Sequence, residues 1–419
     1  MERRRFLKLL AADGALLAGL PATGSAANNY RVGAGSTSDP YAATQRAVSA
    51  SGEWPASSMA GRMVVIKPNL VCSAPASSGA TTDPQVVRAL VDLALGAGAA
   101  NVVILEKYGN FSACGYSFFS QYHPRVQLVD MVTPPVAPAA VPGGYVYQAL
   151  YLPTFLQDPN VILISAAKLK THGQTVVTLS LKNLYGLAPP SIYSAAGQTL
   201  PRWDLHARGF DQSAVDLNLA RRVNYAVIDG VWGMEGPGPI TGTPVAMNLV
   251  LAGLNPVALD LAGMHAMHIP QNIVLHVFYA GLKGLGPLDA SQVAMVGDPL
   301  TPRAFLRATT PPLLGFPVVQ PGAISPAPGE KVSIRYRVGA ACWTRVEIIR
   351  DSDITPAVTV MRNLHDWRTL SAGTETLEWN GRDDSGLPVA PGTYLVRVQA
   401  RYNPGTMIIY ASNRVTVTG

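Results

Sequence analysis

Short apolar runs alternate with segments of helical periodicity over the first two thirds of the chain. Met63–Ile66 and Asn101–Leu105 are apolar, β-branched runs. Between them, Asp83 and Pro84 provide a helix start, and residues 85–95 carry apolar side chains on one face. Because such a crossover is right-handed, the two strands are expected to be parallel. Further strands are predicted at Val126–Val129, Val161–Ser165, Tyr225–Ile228, Met247–Ala252 and Val293–Val296, and helices near 177–184, 213–222, 256–267 and 272–282.

This order predicts an α/β domain over residues 28–308, with a mostly parallel sheet and helices on both faces. Residues 309–328 are rich in proline and predict a semi-rigid linker. Residues 329–419 alternate apolar and polar side chains, which is typical of an antiparallel β-sandwich. The linker is expected to hold the sandwich away from the α/β domain, as a module with no part in the site. The clearest alternating runs are Val332–Val338, Thr344–Ile348, Tyr394–Ala400 and Arg414–Thr418.

The sandwich region contains one recognisable motif. The stretch LEWNGRDDSGLPVAPGTYLVRVQA, residues 377–400, combines a tryptophan, a Gly/Asp turn and a P-G-T-Y strand start. It resembles the immunoglobulin-like domain of flagellar hook-capping (FlgD-like) proteins and of many exported bacterial proteins. Trp379 and Tyr394 are predicted to anchor the core of this domain.

The N-terminus predicts an export signal over residues 1–27. Arg3 to Lys8 read R-R-R-F-L-K and fit the twin-arginine pattern R-R-x-F-L-K. A modestly apolar stretch, Leu9 to Leu20, and a run of small residues follow. The apolar stretch is too short to span roughly 30 Å of hydrocarbon. We therefore expect the twin-arginine translocase as a partner during export, a periplasmic or extracellular location, and no transmembrane anchor after cleavage.

The net charge is too small and too evenly spread for nucleic-acid binding. The full chain carries +6, and its first 27 residues hold four basic and two acidic side chains, so about +4 remains after cleavage. There is no basic stripe with interleaved aromatic residues. We therefore predict no nucleic-acid partner.

Lysine is scarce, and its positions indicate a site. Only 8 of the 419 residues are lysine, against 24 arginines, and four of the 8 follow or end apolar runs. The carboxyl edge of an open α/β sheet is where ligands bind. The sequence therefore predicts a lysine-rich pocket for a small anionic molecule at that edge. The candidate binding residues are Asn69, Lys168, Lys170, Lys182, Asn183 and His206. His206 lies in the segment 187–211, which is expected to be either a loop over the pocket or an irregular connection.

Proton-transfer chemistry is the first catalytic hypothesis. Converging ammonium groups lower one another's pKa, which is one route to a lysine base near neutral pH. They would equally bind a phosphate or carboxylate without catalysis, and the sequence does not separate these alternatives. Carboxylates that end strands or lie in a Gly-rich loop, Glu106 among them, would neutralise lysines, act as a base or hold a metal. The catalytic candidates are Lys67, His172, Asp229 and Glu235.

Metal and cysteine chemistry receive less support. His265 and His268 are three residues apart and could join Asp260 and Asp229 around a metal, but they fit better as residues of a helix face, and no metal ligands are assigned. The three cysteines form no C-x-x-C pair, so one chain cannot assemble an iron–sulfur cluster from them. A disulfide between Cys72 and Cys114 is left open, as is any cofactor.

Five blocks resemble one protein family. They are VVIKPNLV, TTDPQVVRALVDLALGAGAANVVILE, AKLKTHGQTVVTLSLKNLYG, VIDGVWGMEGPGP and NLVLAGLNPVALD, between about Met63 and Gly297. In this order they resemble the bacterial and archaeal family called domain of unknown function 362. The activity of the family is not established, and many relatives are attached to ferredoxin-like cysteine clusters that this chain lacks. Three functions stay open: an enzyme acting on a small anion, an envelope binding or interaction protein without catalysis, and a redox-partner protein.

Overall fold

The computed structural model describes residues 30–106, 110–194, 202–351 and 360–419. The predicted export signal, residues 1–27, lies outside these ranges. The largest element is a nine-stranded sheet in the order β11-β1-β10-β9-β7-β2-β3-β4, in which β8 pairs with the end of β7. Its strands are β1 (Tyr30–Ser36), β2 (Met63–Pro68), β3 (Asn101–Glu106), β4 (Val126–Asp130), β7 (Ile162–His172), β8 (Val176–Thr178), β9 (Tyr225–Glu235), β10 (Thr243–Gly253) and β11 (Val293–Gly297), while β5 (Val136–Ala140) and β6 (Ala149–Pro153) form a separate hairpin.

The large sheet is mixed, so the prediction of a mostly parallel sheet is only partly met. The neighbours β4–β3, β3–β2, β2–β7, β7–β9 and β1–β11 are parallel. The neighbours β9–β10, β1–β10 and β7–β8 are antiparallel. The parallel part is the half that brings the carboxyl ends of β2, β3 and β7 to one edge.

Helices cover both faces of this sheet. Along β2, Val64 and Ile66 belong to one apolar cluster and Val65 to another, as the two-residue repeat of a strand requires. Asp83 caps the second helix by accepting the N–H of Gln85 at 2.8 Å. The helices are α1 (Pro40–Ser51), α2 (Pro84–Gly96), α3 (Ser180–Asn183), α4 (Pro190–Tyr193), α5 (Trp203–Ala220), α6 (Pro256–Ala266) and α7 (Leu275–Leu282).

Several element boundaries differ from those predicted. The helix expected near 177–184 is the end of β8 followed by the short α3. The helix expected at 213–222 begins earlier, at Trp203, and Gly209 interrupts its helical dihedrals with φ 137°. Residues 187–211 are therefore not one loop, because they contain α4 and the first half of α5; residues 195–201 lie outside the described ranges. Within those ranges, no helix is long and apolar enough to cross a membrane.

The C-terminal region forms two further sheets around one core. The sheet orders are β12-β14-β17 and β13-β19-β18-β15-β16. The rings of Trp379 and Tyr394, one from each sheet, meet edge to face with centroids 5.9 Å apart. The four alternating runs noted in the sequence fall in strands, except that Thr418 lies one residue beyond the last of them. The strands are β12 (Val318–Gln320), β13 (Ala323–Ile324), β14 (Val332–Val338), β15 (Cys342–Arg350), β16 (Val360–Leu370), β17 (Gly373–Trp379), β18 (Gly392–Arg401) and β19 (Ile409–Val417).

These sheets pack directly against the α/β part. Arg208 on α5 donates to Asp351 at 2.5 Å, and both side chains are buried. Gln212, one turn later, donates to the carbonyl of Ser412 at 2.7 Å. The proline-rich segment also contributes β12 and β13, which pair with β14 and β19. The prediction that residues 309–328 act as a spacer is therefore wrong: its apolar residues join the core instead of standing in solvent.

Candidate functional site

A cavity of about 380 Å³ opens at the carboxyl edge of the parallel strands. Lys67 is the next-to-last residue of β2, Glu106 ends β3 and His172 ends β7, and all three line the cavity. Its volume lies within the range of small-molecule sites, about 300–1,000 Å³. Six of the predicted site residues line it: Lys67, Asn69, His172, Lys182, Asn183 and His206.

Lys67 is an ion-paired, buried lysine. Its ammonium group contacts the Glu106 carboxylate and donates to the carbonyl of Pro68 at 2.6 Å. Burial lowers the pKa of Lys67, and the Glu106 charge opposes that shift. Glycine at position 186 leaves room for the Lys67 side chain, because a Cβ there would lie 2.4 Å from Cε of Lys67. The pair is electrically neutral as a whole, so Lys67 contributes shape and hydrogen bonding to the cavity more than net charge.

Lys170 does not line the cavity but holds the side-chain amide of Asn69, which does. Its ammonium group donates to Asn69 Oδ1 at 2.9 Å and to the carbonyls of Ala80 and Pro239 at 2.5 and 3.2 Å. Asn69 then donates to Asn183 Oδ1 at 3.2 Å. Burial, followed by the charge of Lys182, holds the pKa of Lys170 well below its usual value. Lys170 therefore acts on the cavity through Asn69 and does not line it.

Lys168, Asp229 and Glu235 are not cavity residues, contrary to the prediction that they converge with Lys67 on one pocket. Lys168 and Asp229 face each other on the paired strands β7 and β9, with Nζ and Oδ2 2.7 Å apart and both side chains fully buried. Asp229 also accepts the N–H of Asp83, the cap residue of α2, at 2.8 Å. The pair therefore joins two strands to a helix. Glu235 lies further along β9 and accepts the N–H of Leu306 at 2.8 Å.

Lys182 lines the cavity beside two aromatic rings. In the described parts of the chain its ammonium group has no hydrogen-bond or ion-pair partner, and it lies 5.1 Å from the ring centroid of Phe210 and 5.7 Å from that of Tyr185. Burial lowers its pKa to about 7; the Asp211 carboxylate opposes this shift and Arg202 adds to it. A cation on aromatic faces remains available to a ligand anion.

The two cavity histidines are neutral and carry opposite hydrogen-bonding roles. Nδ1 of His172 accepts the N–H groups of Gln174 and Thr175 at 3.0 and 3.3 Å, so its ring proton is on Nε2. Nδ1 of His206 lies 2.9 Å from the carbonyl of Arg202 and donates to it, which leaves a lone pair on Nε2. Burial lowers the pKa of His206 to about 4 and that of His172 well below its usual value.

The cavity residues that sequence reasoning missed include Tyr185, Arg202, Phe210 and Met407. Arg202 donates to the carbonyls of Ala188 and Gly186 at 2.6 and 2.9 Å, and burial lowers its pKa to about 10. The aromatic side chains of the segment 187–211 were a usable signal for Phe210. Met407 comes from the C-terminal sheets, and no local pattern could have assigned it to this cavity.

The remaining metal and cysteine candidates lie apart from the cavity. Asp260 is buried and accepts the N–H groups of Ser180 and Leu181 at 2.7 and 3.1 Å, which caps α3. No group of three or more potential metal-ligating side chains occurs within the described ranges. The thiol of Cys114 donates to the carbonyl of Cys72 at 3.3 Å, and the two thiols are free in this structure.

Comparison with known proteins identifies part of the chain. A thylakoid-associated protein of Synechocystis sp. is 28% identical over 248 residues, which cover 57% of this chain and 73% of that protein. Latent dimeric PorU from Porphyromonas gingivalis matches with 16% identity and a TM-score of 0.21, over 27% of this chain and 10% of that one. A β-glucosidase from Erythrobacter marinus matches with 11% identity and a TM-score of 0.18, over 86% and 47%. The chain thus spans about a tenth and about half of these two proteins, and TM-scores this low carry no argument.

A family model is more informative. The model described as "Domain of unknown function (DUF362)" matches residues 64–265. These residues contain the ends of β2, β3 and β7 as well as α5. They therefore include every residue that lines the cavity except Met407. The resemblance stated for the five sequence blocks is confirmed over this range. Residues 64–265 therefore form a domain of the DUF362 family.

Proposed function

We propose that the cavity binds a small organic anion and that Lys182 is its principal charged contact. The observation that carries this proposal is the position of Lys182: it lines the cavity beside two aromatic rings, without a carboxylate bound to it among the described residues. Lys67 is balanced by Glu106, so Lys182 and Arg202 supply the excess positive charge. Attraction in a partly desolvated cavity is stronger than in water, which favours a carboxylate or phosphate.

Proton-transfer catalysis on that anion is a second candidate. A lysine with a pKa of about 7 exists as both amine and ammonium at neutral pH, which suits a general acid or base. His206 offers a lone pair on Nε2 and His172 a proton on Nε2, so the same cavity holds an acceptor and a donor. Of the residues first predicted as catalytic, His172 keeps this role in the proposal, whereas Asp229, which pairs with Lys168, serves the fold.

The binding proposal is tested by calorimetric titration with benzoate and phenyl phosphate. We expect both to bind and benzyl alcohol, which lacks the charge, to bind much more weakly. Lys182→Met should raise the dissociation constants at least tenfold, as expected when a charged hydrogen bond is removed. Lys331→Met is the matched control, because Lys331 is exposed on the C-terminal sheets and pairs with Glu378.

Two results would contradict the proposal. One is equal binding of benzyl alcohol and benzoate, since the charge would then play no part. The other is unchanged affinity in Lys182→Met when circular dichroism shows a folded protein. A fall in affinity in the Lys331→Met control would mean that net charge alone, and not the cavity, attracts the anion.

For the molecule as a whole we propose an exported protein with an immunoglobulin-like C-terminal module. The support for export is the R-R-R-F-L-K segment with its following small residues. The support for the module is the motif of residues 377–400 together with the two facing sheets and the Trp379–Tyr394 contact. In this proposal the anion is met in the periplasm or outside the cell.

A further inference from the structure

The charged groups of the cavity lie inside it, and its opening is apolar. The lining residues Lys67, Asn183 and His172 are buried, with exposed fractions of 1%, 2% and 7%. Three other lining residues are exposed and apolar: Val71, Ile240 and Met407, at 42%, 48% and 48%. Since a lining residue that is open to solvent lies at the mouth, the mouth is apolar and the charged groups lie within.

The three apolar mouth residues come from separate parts of the chain. Val71 follows β2, Ile240 lies between β9 and β10, and Met407 lies between β18 and β19. Met407 sits over Gly173, where an added Cβ would come within 3.3 Å of its Cε atom. Because all three line the same opening, a ligand that enters the cavity would pass over their apolar side chains.

We infer that the ligand is an amphipathic anion, with its carboxylate or phosphate inside the cavity near Lys182 and a hydrocarbon chain leaving across Val71, Ile240 and Met407. This inference rests on the proposed anion binding and adds the chemical class of the ligand. The buried Leu70 continues the apolar path inward from Val71. A fully polar anion would leave the three mouth side chains in water, whereas a hydrocarbon chain covers them.

The test is a chain-length series on the full-length protein: butanoate, hexanoate, octanoate and decanoate, measured by calorimetry below their micelle concentrations. The dissociation constant should fall with each methylene that becomes buried, by up to about fourfold per methylene, and level off once the chain has passed the mouth. Met407→Ser should weaken octanoate and decanoate and leave butanoate unchanged. Leu387→Ser is the matched control, because Leu387 is an exposed apolar residue of the same C-terminal sheets outside the cavity.

The outcomes separate this inference from the proposal on which it rests. Equal affinity across the series, with butanoate binding lost in Lys182→Met, would overturn the amphipathic ligand and keep the anion site. Equal weakening of all four acids by Met407→Ser would overturn the placement of the chain at the mouth. If none of the acids binds to the folded protein, both the site and the ligand class are wrong.

Discussion

Three of the four clustered lysines are held by oxygen atoms of the protein itself. Lys67 and Lys168 pair with carboxylates on neighbouring strands, and Lys170 donates to an amide and two carbonyls. Only Lys182 among the four is left to the aromatic rings and the cavity. Its distinct environment makes Lys182 the residue whose protonation should control ligand affinity.

Anion affinity should therefore depend on pH through Lys182. Its pKa of about 7 is below the unfolded value, so the ammonium form dominates below pH 7 and the amine form above it. For benzoate, which stays ionised over this range, the dissociation constant should be level from pH 6 to 7. It should then rise by up to tenfold per pH unit towards pH 9. Calorimetric titrations at each pH measure this profile.

Lys182→Met is the control for this profile and should bind weakly with no pH dependence. Between pH 7 and the pKa of Lys182 in the unfolded chain, the unfolded chain binds more protons than the folded one. Lys182 therefore makes the free energy of unfolding rise with pH over this range. His206, with a pKa of about 4, stays neutral throughout and cannot produce the profile. An affinity that increases from pH 7 to 9 would contradict the assignment.

The scarcity of lysine indicated the sheet edge at which the cavity lies, but not the roles of the individual residues. The pattern shows that Lys67 and Lys168 follow apolar runs, and this suffices to place them near the carboxyl edge. It does not show that Glu106 and Asp229 meet them, because those contacts depend on which strands are neighbours. A buried pair and a ligand-facing lysine have the same local sequence pattern, so Lys182 could not be singled out.

At the scale of elements, two strands differ from the prediction: β7 is longer than expected, and β1 was not predicted. The strand predicted to end at Ser165 continues to His172. Lys168 and Lys170 interrupt the apolar pattern of the sequence, but in the structure both ammonium groups have buried hydrogen-bond partners, so the strand can continue through them. The strand β1 was missed because its glycines break the apolar pattern. Those glycines are needed for packing: a Cβ at Gly33 would lie 2.0 Å from the carbonyl oxygen of Ala47 in α1.

The contact between α5 and the C-terminal sheets predicts cooperative unfolding. Asp351→Ala would leave Arg208, buried at this contact, without one of its carboxylate partners. Breaking a buried ion pair costs about 3 kcal/mol, so the free energy of unfolding should fall by about that amount. Differential scanning calorimetry should show one transition for the whole chain, moved to lower temperature in Asp351→Ala.

Glu378→Ala is the matched control, because the Lys331–Glu378 pair is exposed and such pairs contribute less than about 1 kcal/mol. Two separate transitions, with only one of them displaced in Asp351→Ala, would instead mean that the C-terminal sheets are an independent module. That was the expectation from the proline-rich segment. In the structure, apolar residues of that segment lie in the core with those of the α/β part.

At the scale of the whole molecule, export by the twin-arginine route is the prediction to test. Replacing Arg3 and Arg4 by Lys keeps the charge but removes the paired guanidinium groups that the signal provides. The variant should remain in the cytoplasm with its first residues uncleaved. Cell fractionation and intact-mass measurement test this, with Arg31→Lys, outside the proposed signal, as the control. Normal cleavage and export of the double variant would contradict the twin-arginine signal.

Met407 places part of the cavity mouth outside the DUF362 domain, and this has an evolutionary consequence. In the proposed site for an amphipathic anion, substitutions in the turn between β18 and β19 would change which chain lengths fit, without disturbing the lysines and histidines within the cavity. A homologue with the same core but a different appended module would keep the charged interior and lose this part of the rim. Its preference should then shift toward shorter or more polar anions, so selectivity can diversify by domain recombination alone.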